Sequence, residues 1–281
     1  MACHGWHAVG CRYRETAGRA RSSCPGFRWW PVSRTAKAGA ATIAILPLGA
    51  HEQHGPHLPF ETDAIIAEAV VERACGLREN LSLHCLAVET TGYSPEHMDF
   101  AGSKTLAFDE AIHRWVDIGL ALKEQGISKL LIVNAHGGNS PLVSIVATEL
   151  RVRANMLCAA TSWTRFIAPG LVSSDEKAFG IHGGQIETSV MLATRPDLVD
   201  MSKARDFISQ QAEFAGRFKH LRAYGPHAFG WKMADLNPDG VTGNAGLATA
   251  ELGEKLLAMA AGGIAELLDD MAGFNPDWLD V

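Results

Sequence analysis

No apolar run in this chain of 281 residues approaches the roughly eighteen residues of a membrane-spanning helix, so no span is expected. Cysteine is sparse and scattered, at positions 3, 11, 24, 75, 85 and 158, with no Cys-x-x-Cys pair. That argues against a Cys₄ zinc site and a disulfide framework, and it makes a reducing, cytoplasmic compartment the expectation. Positive charge is not in excess. The net charge of −6 disfavours nucleic acid and anionic membrane surfaces as partners. No Gly-x-Ser-x-Gly elbow is present, which argues against a serine hydrolase, and no repeat of solenoid period is found. Acids are nearly missing from residues 1–40, where Glu15 faces seven basic residues. That segment has no apolar secretory core and no clear period. It reads as a poorly ordered N-terminal extension, with a transit peptide as the alternative, ahead of a single domain over residues 41–281.

What is present is an alternation of strands and helices from Thr42 onward. Apolar runs predict strands over Thr42–Leu48, Ser82–Val88, Lys129–Val133 and Met156–Ser162. Helical spacing predicts helices over Thr62–Arg78, Phe108–Gln125 and Leu142–Arg153, another through Glu187–Ala193, one over 205–222, and a closing helix over Ala248–Met271. Loops are expected over Glu89–Lys104, 163–181 and 224–246. The third strand is branched and continuous, as a strand covered on both faces would be. The alternation implies right-handed crossovers and a mainly parallel sheet, an α/β fold. In such a sheet the loops after the strands open on one edge, where ligands bind.

Three stretches on that edge carry chemistry. After the first strand come Glu52, His54, His57, Glu61 and Asp63, broken up by Gly49, Gly55, Pro56 and Pro59. After the third strand comes Asn134-Ala-His136-Gly-Gly-Asn139, and later His182-Gly-Gly-Gln-Ile-Glu187 leads into a helix. Carboxylates mixed with imidazoles are the ligand set for Zn²⁺ or Mn²⁺. Each has a plainer role open to it: Asp63 as a helix cap, Glu187 as a first-turn acid, His51 and His57 as packed or exposed rings, and Glu61 as a solvated loop acid. His84, His97, His113, His220 and His227 have no acid at ligand spacing and read as structural.

The order and spacing of Glu52-Gln-His54-Gly-Pro-His-Leu-Pro, Asp63, Asn134-x-His136-Gly-Gly-Asn139 and His182-x-Gly-x-x-Glu187-Thr resemble the creatininase (creatinine amidohydrolase) family over about residues 42–270. The resemblance implies a three-layer α/β/α sandwich, two divalent ions (Zn²⁺ and/or Mn²⁺) and hydrolysis of an amide-type C–N bond in a small, creatinine-like cyclic amide. It implies a homo-oligomer, hexameric as in creatininase itself. By the same resemblance Glu52 and His136 bind one metal, His54 and Glu187 the other, and Asp63 bridges both. His182 is the candidate proton shuttle, and Trp163 the candidate stacking surface for a planar substrate. One position departs from the pattern: creatininase proper has a glutamate where this chain has Gly138. A deformylase and a peptidase-like enzyme, both known in the family, therefore stay open, as does a non-catalytic metal-stabilised binding module.

Overall fold

The computed structural model describes residues 42–275 and Trp278; the reading of residues 1–40 as an extension lies outside these. The chain runs β1 (Ile43–Leu48), α1 (Thr62–Gly76), β2 (Leu83–Cys85), α2 (Phe108–Glu124), β3 (Lys129–Asn134), α3 (Ser140–Ala154), β4 (Leu157–Ser162), α4 (Ser174–Phe179), α5 (Gln185–Thr194), β5 (Asp206–Phe207), α6 (Gln210–Arg217), α7 (Met233–Leu236), β6 (Gly243–Asn244) and α8 (Ala250–Gly273). The main sheet has the order β2-β1-β3-β4, and every pairing in it is parallel. β1 and β3 lie in the middle, buried along their whole length, which is why they read as unbroken apolar runs.

Alternate residues of these two strands feed two separate cores. Ile43, Ile45, Leu131 and Val133 face α1, α5 and α8. Ala44, Leu46, Leu48, Leu130 and Ile132 face α2 and α3, around the buried Trp115. The period-2 alternation of a strand thus builds the three layers. α5 and α8 press together closely at Gly253, where an added Cβ would lie 1.9 Å from Ser189 O.

Three expectations need correction. The stretch 163–181, read as loop, contains α4, whose first turn is capped by Ser173. The helix read over 205–222 is broken into the short strand β5 and α6, because Phe207 leaves the helical row to pack with Val241 and Ala245. The stretch 224–246, read as loop, contains α7 and the strand β6, which pairs antiparallel with β5. Cys75 Sγ lies 2.7 Å from Cys85 Sγ, at the end of α1 far from Asp63.

Candidate metal centre

The loops that leave β1, β2 and β3, and the segment entering α5, converge over the carboxyl edge of the sheet. Asn139 is the knot among the first three. Its amide nitrogen donates to Gly49 O at 3.1 Å and to Asn134 Oδ1 at 3.1 Å, and its oxygen accepts Tyr93 N–H at 2.9 Å. One fully buried side chain therefore ties together the loops that follow β1, β2 and β3. Asp63 sits in the first turn of α1, but it caps nothing. The helix starts after Glu61 without a side-chain cap, leaving the Asp63 carboxylate to face inward.

Six side chains named from the sequence meet here. His54 Nε2 lies 3.3 Å from Asp63 Oδ1 and 3.9 Å from Glu187 Oε2. His136 Nδ1 lies 3.0 Å from Glu52 Oε1 and 3.4 Å from Asp63 Oδ2. Asp63 thus touches both histidines, one with each oxygen. His182 Nδ1 lies 3.6 Å from Glu52 Oε1. Backbone groups aim these side chains. His54 Nδ1–H donates to Glu52 O at 2.9 Å, His182 Nε2–H donates to Gln53 O at 2.7 Å, and Glu187 Oε2 accepts Gly183 N–H at 2.7 Å. In each histidine the other nitrogen is left bare, directed at the carboxylates.

The donor set fits a cation. Glu52 is fully buried, and neither of its oxygens nor Asp63 Oδ2 has a hydrogen-bond partner. A desolvated carboxylate left this way costs several kcal/mol unless something positive meets it (on the order of 3–5 for a broken buried pair). His136 gives its Nε2–H to Tyr93 O at 3.0 Å, so bare Nδ1 confronts carboxylate oxygen. Lone pair against lone pair is tolerable only with a cation between, or with a second proton on the ring. Glu52, His54 and Asp63 offer ligand atoms within 4.8 Å of one another, as do His54, His182 and Glu187.

The proton affinities follow from the same contacts. Burial opposes a proton on His54 and His136, yet the carboxylates around them raise both, His54 to about 9. Burial pushes the Glu52 and Asp63 carboxyls up, but the adjacent histidines outweigh it and hold both below their usual range. Burial pushes Glu187 up to about 7. His182 falls well below the ordinary histidine value, chiefly through burial, and is neutral.

Other residues fall outside the centre. His57 is turned away, sharing Nε2 between Thr188 Oγ1 at 2.9 Å and Gly183 O at 3.1 Å. His51 stacks on Phe60 and pairs with exposed Glu61 at 3.6 Å. Trp163 requires correction: it is 1% exposed, locked in the core beneath α5 and α8, and no ring face is left for a substrate to stack on. Tyr224, Phe229 and Trp231 gather instead with Phe100 and Ile181, neighbours in sequence of the centre.

His97 also corrects the reading, in the opposite direction. It is 2% exposed, its Nε2 lies 3.4 Å from Glu52 Oε1, and its ring centroid is 4.3 Å from that of His182. Burial lowers it to about 4. Glu96 Oε1 lies 3.5 Å from His136 Nε2. The available signal was topological: β2 is parallel to β1, so its exit loop had to open on the same edge.

The family profile Creatininase, described as creatinine amidohydrolase, matches residues 28–268. The chain belongs to the creatininase family. Among its relatives, the mycofactocin precursor peptide peptidase of Mycobacterium ulcerans (strain Agy99) is 29% identical over 246 residues, covering 83% of this chain and 84% of that protein. The creatinine amidohydrolase of Pseudomonas putida is 26% identical over 268 residues, covering 89% and 97%. A solved structure named Creatininase Mn superposes with a TM-score of 0.67 at 25% identity, covering 84% of this chain and 93% of that one. The family is metal-dependent, its named members here are hydrolases, and the α/β fold is shared.

Proposed function

We propose that this chain is a dinuclear metal-dependent amidohydrolase. The observation that carries the reading is the buried meeting of Glu52, Asp63, His54, His136 and Glu187 with carboxylate oxygens left unpartnered. Glu52 and His136 would hold one divalent ion, His54 and Glu187 the other, and Asp63, which presents one oxygen to each histidine, would bridge them. When bound, two such ions supply Lewis acidity toward a carbonyl and make water acidic enough to attack near neutral pH.

The chain's own residues do the rest. Water is kept from all but the open side, since among the acidic ligands only Glu187 keeps appreciable side-chain exposure, at 14%. Hydrolysis adds hydroxyl to the amide carbon and requires a proton on the departing nitrogen. His182 would carry it from the attacking water: Gln53 O fixes its tautomer, and its neutral Nδ1, facing the centre, would take up the proton that the water gives up and pass it to the nitrogen. His182→Ala is expected to keep its metal and lose turnover by about 100-fold.

Peptide-type amides are the substrate class we favour, on the higher identity of the mycofactocin precursor peptide peptidases (29% and 28%, against 26% for the Pseudomonas putida enzyme) and on Gly138 replacing the glutamate expected of a creatininase proper. A small cyclic amide is the second reading, favoured by the match to the Pseudomonas putida enzyme. A homo-oligomer, hexameric by the family resemblance, and a cytoplasmic location belong to the same reading. Among the described residues no helix is long and apolar enough to cross a membrane.

Metal analysis of the purified protein is the first test. Fewer than one tightly held ion per chain would sink the proposal, and so would Asp63→Ala retaining both ions. Short peptides, formamides and cyclic amides offered to Zn²⁺- or Mn²⁺-loaded protein then decide between the substrate classes.

A further inference from the structure

The 3-10 turn Pro95–His97 and the preceding Ser94 press on the centre, yet the reading above gives them no task. They touch two ligands assigned to the same ion. On one side, His136 Nε2 is hydrogen-bonded to Tyr93 O at 3.0 Å and Ser94 Oγ at 3.2 Å, and the Glu96 carboxylate completes a collar with Oε1 3.5 Å away. This collar keeps Nδ1 as the nitrogen that faces Glu52 and Asp63. On the other side stands His97, whose tautomer can be deduced. Gln53 Oε1 accepts Gly55 N–H at 2.8 Å, so the other end of that amide is the donor. It gives one proton to Gly240 O at 2.6 Å and one toward His97 Nδ1 at 3.3 Å. The proton of the His97 ring therefore sits on Nε2, the nitrogen that lies 3.4 Å from Glu52 Oε1.

Among the described residues no hydrogen bond or ion pair joins this turn to His54 or Glu187. Gly138 makes the collar possible. A Cβ there would lie 2.4 Å from both His136 Nε2 and Tyr93 O, and 2.7 Å from Glu96 Oε1. Any side chain at 138 would push the turn away, so the glycine and the turn are one device.

We infer that the Ser94–His97 turn is the outer frame of the Glu52/His136 ion alone, with Glu96 and His97 as positioning residues that orient its ligands and set its affinity. This rests on the two-ion reading above. Partners that orient a metal's ligands typically change affinity by about 10–100-fold when removed.

The test uses the full chain titrated with Co²⁺, followed by calorimetry and by the visible absorption of the bound ion. Wild-type protein that takes up fewer than two Co²⁺ removes the two-ion reading itself, before any variant is compared. With two bound, Glu96→Gln and His97→Phe are each expected to weaken one ion by about 10–100-fold and shift its absorption. The second ion should keep its affinity and its bands. His97→Gln, whose amide nitrogen takes the place of Nε2, should recover most of the loss. Glu187→Gln serves as the reference for the other ion and should alter different bands. Equal weakening of both ions, no weakening of either, or loss of the same bands as Glu187→Gln would overturn the inference. Should His97→Phe fail to fold, Glu96→Gln and His97→Gln carry the comparison.

Discussion

Protons and metal compete at His54. In the ion-free protein its imidazole is raised from 6.5 to about 9, so its favourable pairing with Asp63 is complete below pH 6.5 and fades as pH rises through about 9. Glu187, raised from 4.5 to about 7, keeps its proton well into the neutral range and is fully ionised only above it. A divalent ion needs the first group neutral and the second ionised, so it must expel protons from both. Metal affinity should therefore climb between about pH 6 and 9, with proton release on binding. Calorimetry in two buffers of different ionisation enthalpy checks this. Identical heats in both buffers would contradict the assignment of His54 and Glu187 as ligands.

The same residues show what could be read in advance. Glu52, His54, Asp63, His136, His182 and Glu187 announce themselves because each stands in a Gly-rich stretch at a strand or helix end. His97 does not, since its partner Glu52 lies 45 residues earlier and only the pairing of β2 with β1 brings the two together. Trp163 misled for the converse reason. A position just past a strand end suggests the crevice, and only packing shows that the ring fills the core beneath α5 and α8 instead.

Among the elements, the regular ones were legible and the irregular ones were not. β1 and β3 are unbroken apolar runs, the long helices repeat apolar residues at helical spacing, and the bounds of all of them fall within a few residues of expectation. β5, β6 and α7 are two to four residues long, too short for a period, and exist because tertiary partners hold them. The link between strand ends depends on Asn139. Asn139→Ala leaves Tyr93 N–H, Gly49 O and Asn134 Oδ1 without this partner in a buried place. It is expected to cost about 2–4 kcal/mol, at roughly 1–3 for each unsatisfied group and some recovery by water. Urea unfolding of the metal-free protein measures this; a change below about 0.5 kcal/mol, ordinary for a surface site, would refute it. Lys129 plays a comparable part for α8. At the start of β3, its ammonium donates to Met271 O, Ala272 O and Phe274 O at 2.7, 3.2 and 2.8 Å, closing the carbonyl end of the last helix. Lys129→Met should fray that end, seen as faster amide exchange there with the centre intact.

For the whole molecule, the two cores and the metal centre share the same central strands, so stability and metal binding are linked by mass action. Chelation should lower the unfolding temperature by several degrees, since saturation at a hundred times Kd contributes about 2.7 kcal/mol. An unchanged melting curve after treatment with chelator would count against the proposed metal centre. The close approach of α5 to α8 at Gly253 has a consequence for how the protein is made. Glu187 lies on α5, and α5 is seated against a helix that is synthesised after it. A ribosome-bound chain that has already exposed Glu52, His54 and His136 still lacks the support for its fourth side. On the proposed assignment the Glu52, His136 and Asp63 ligands are made before α5 and α8, so the ion they would hold can enter first, whereas the His54/Glu187 ion waits until α5 has docked on α8.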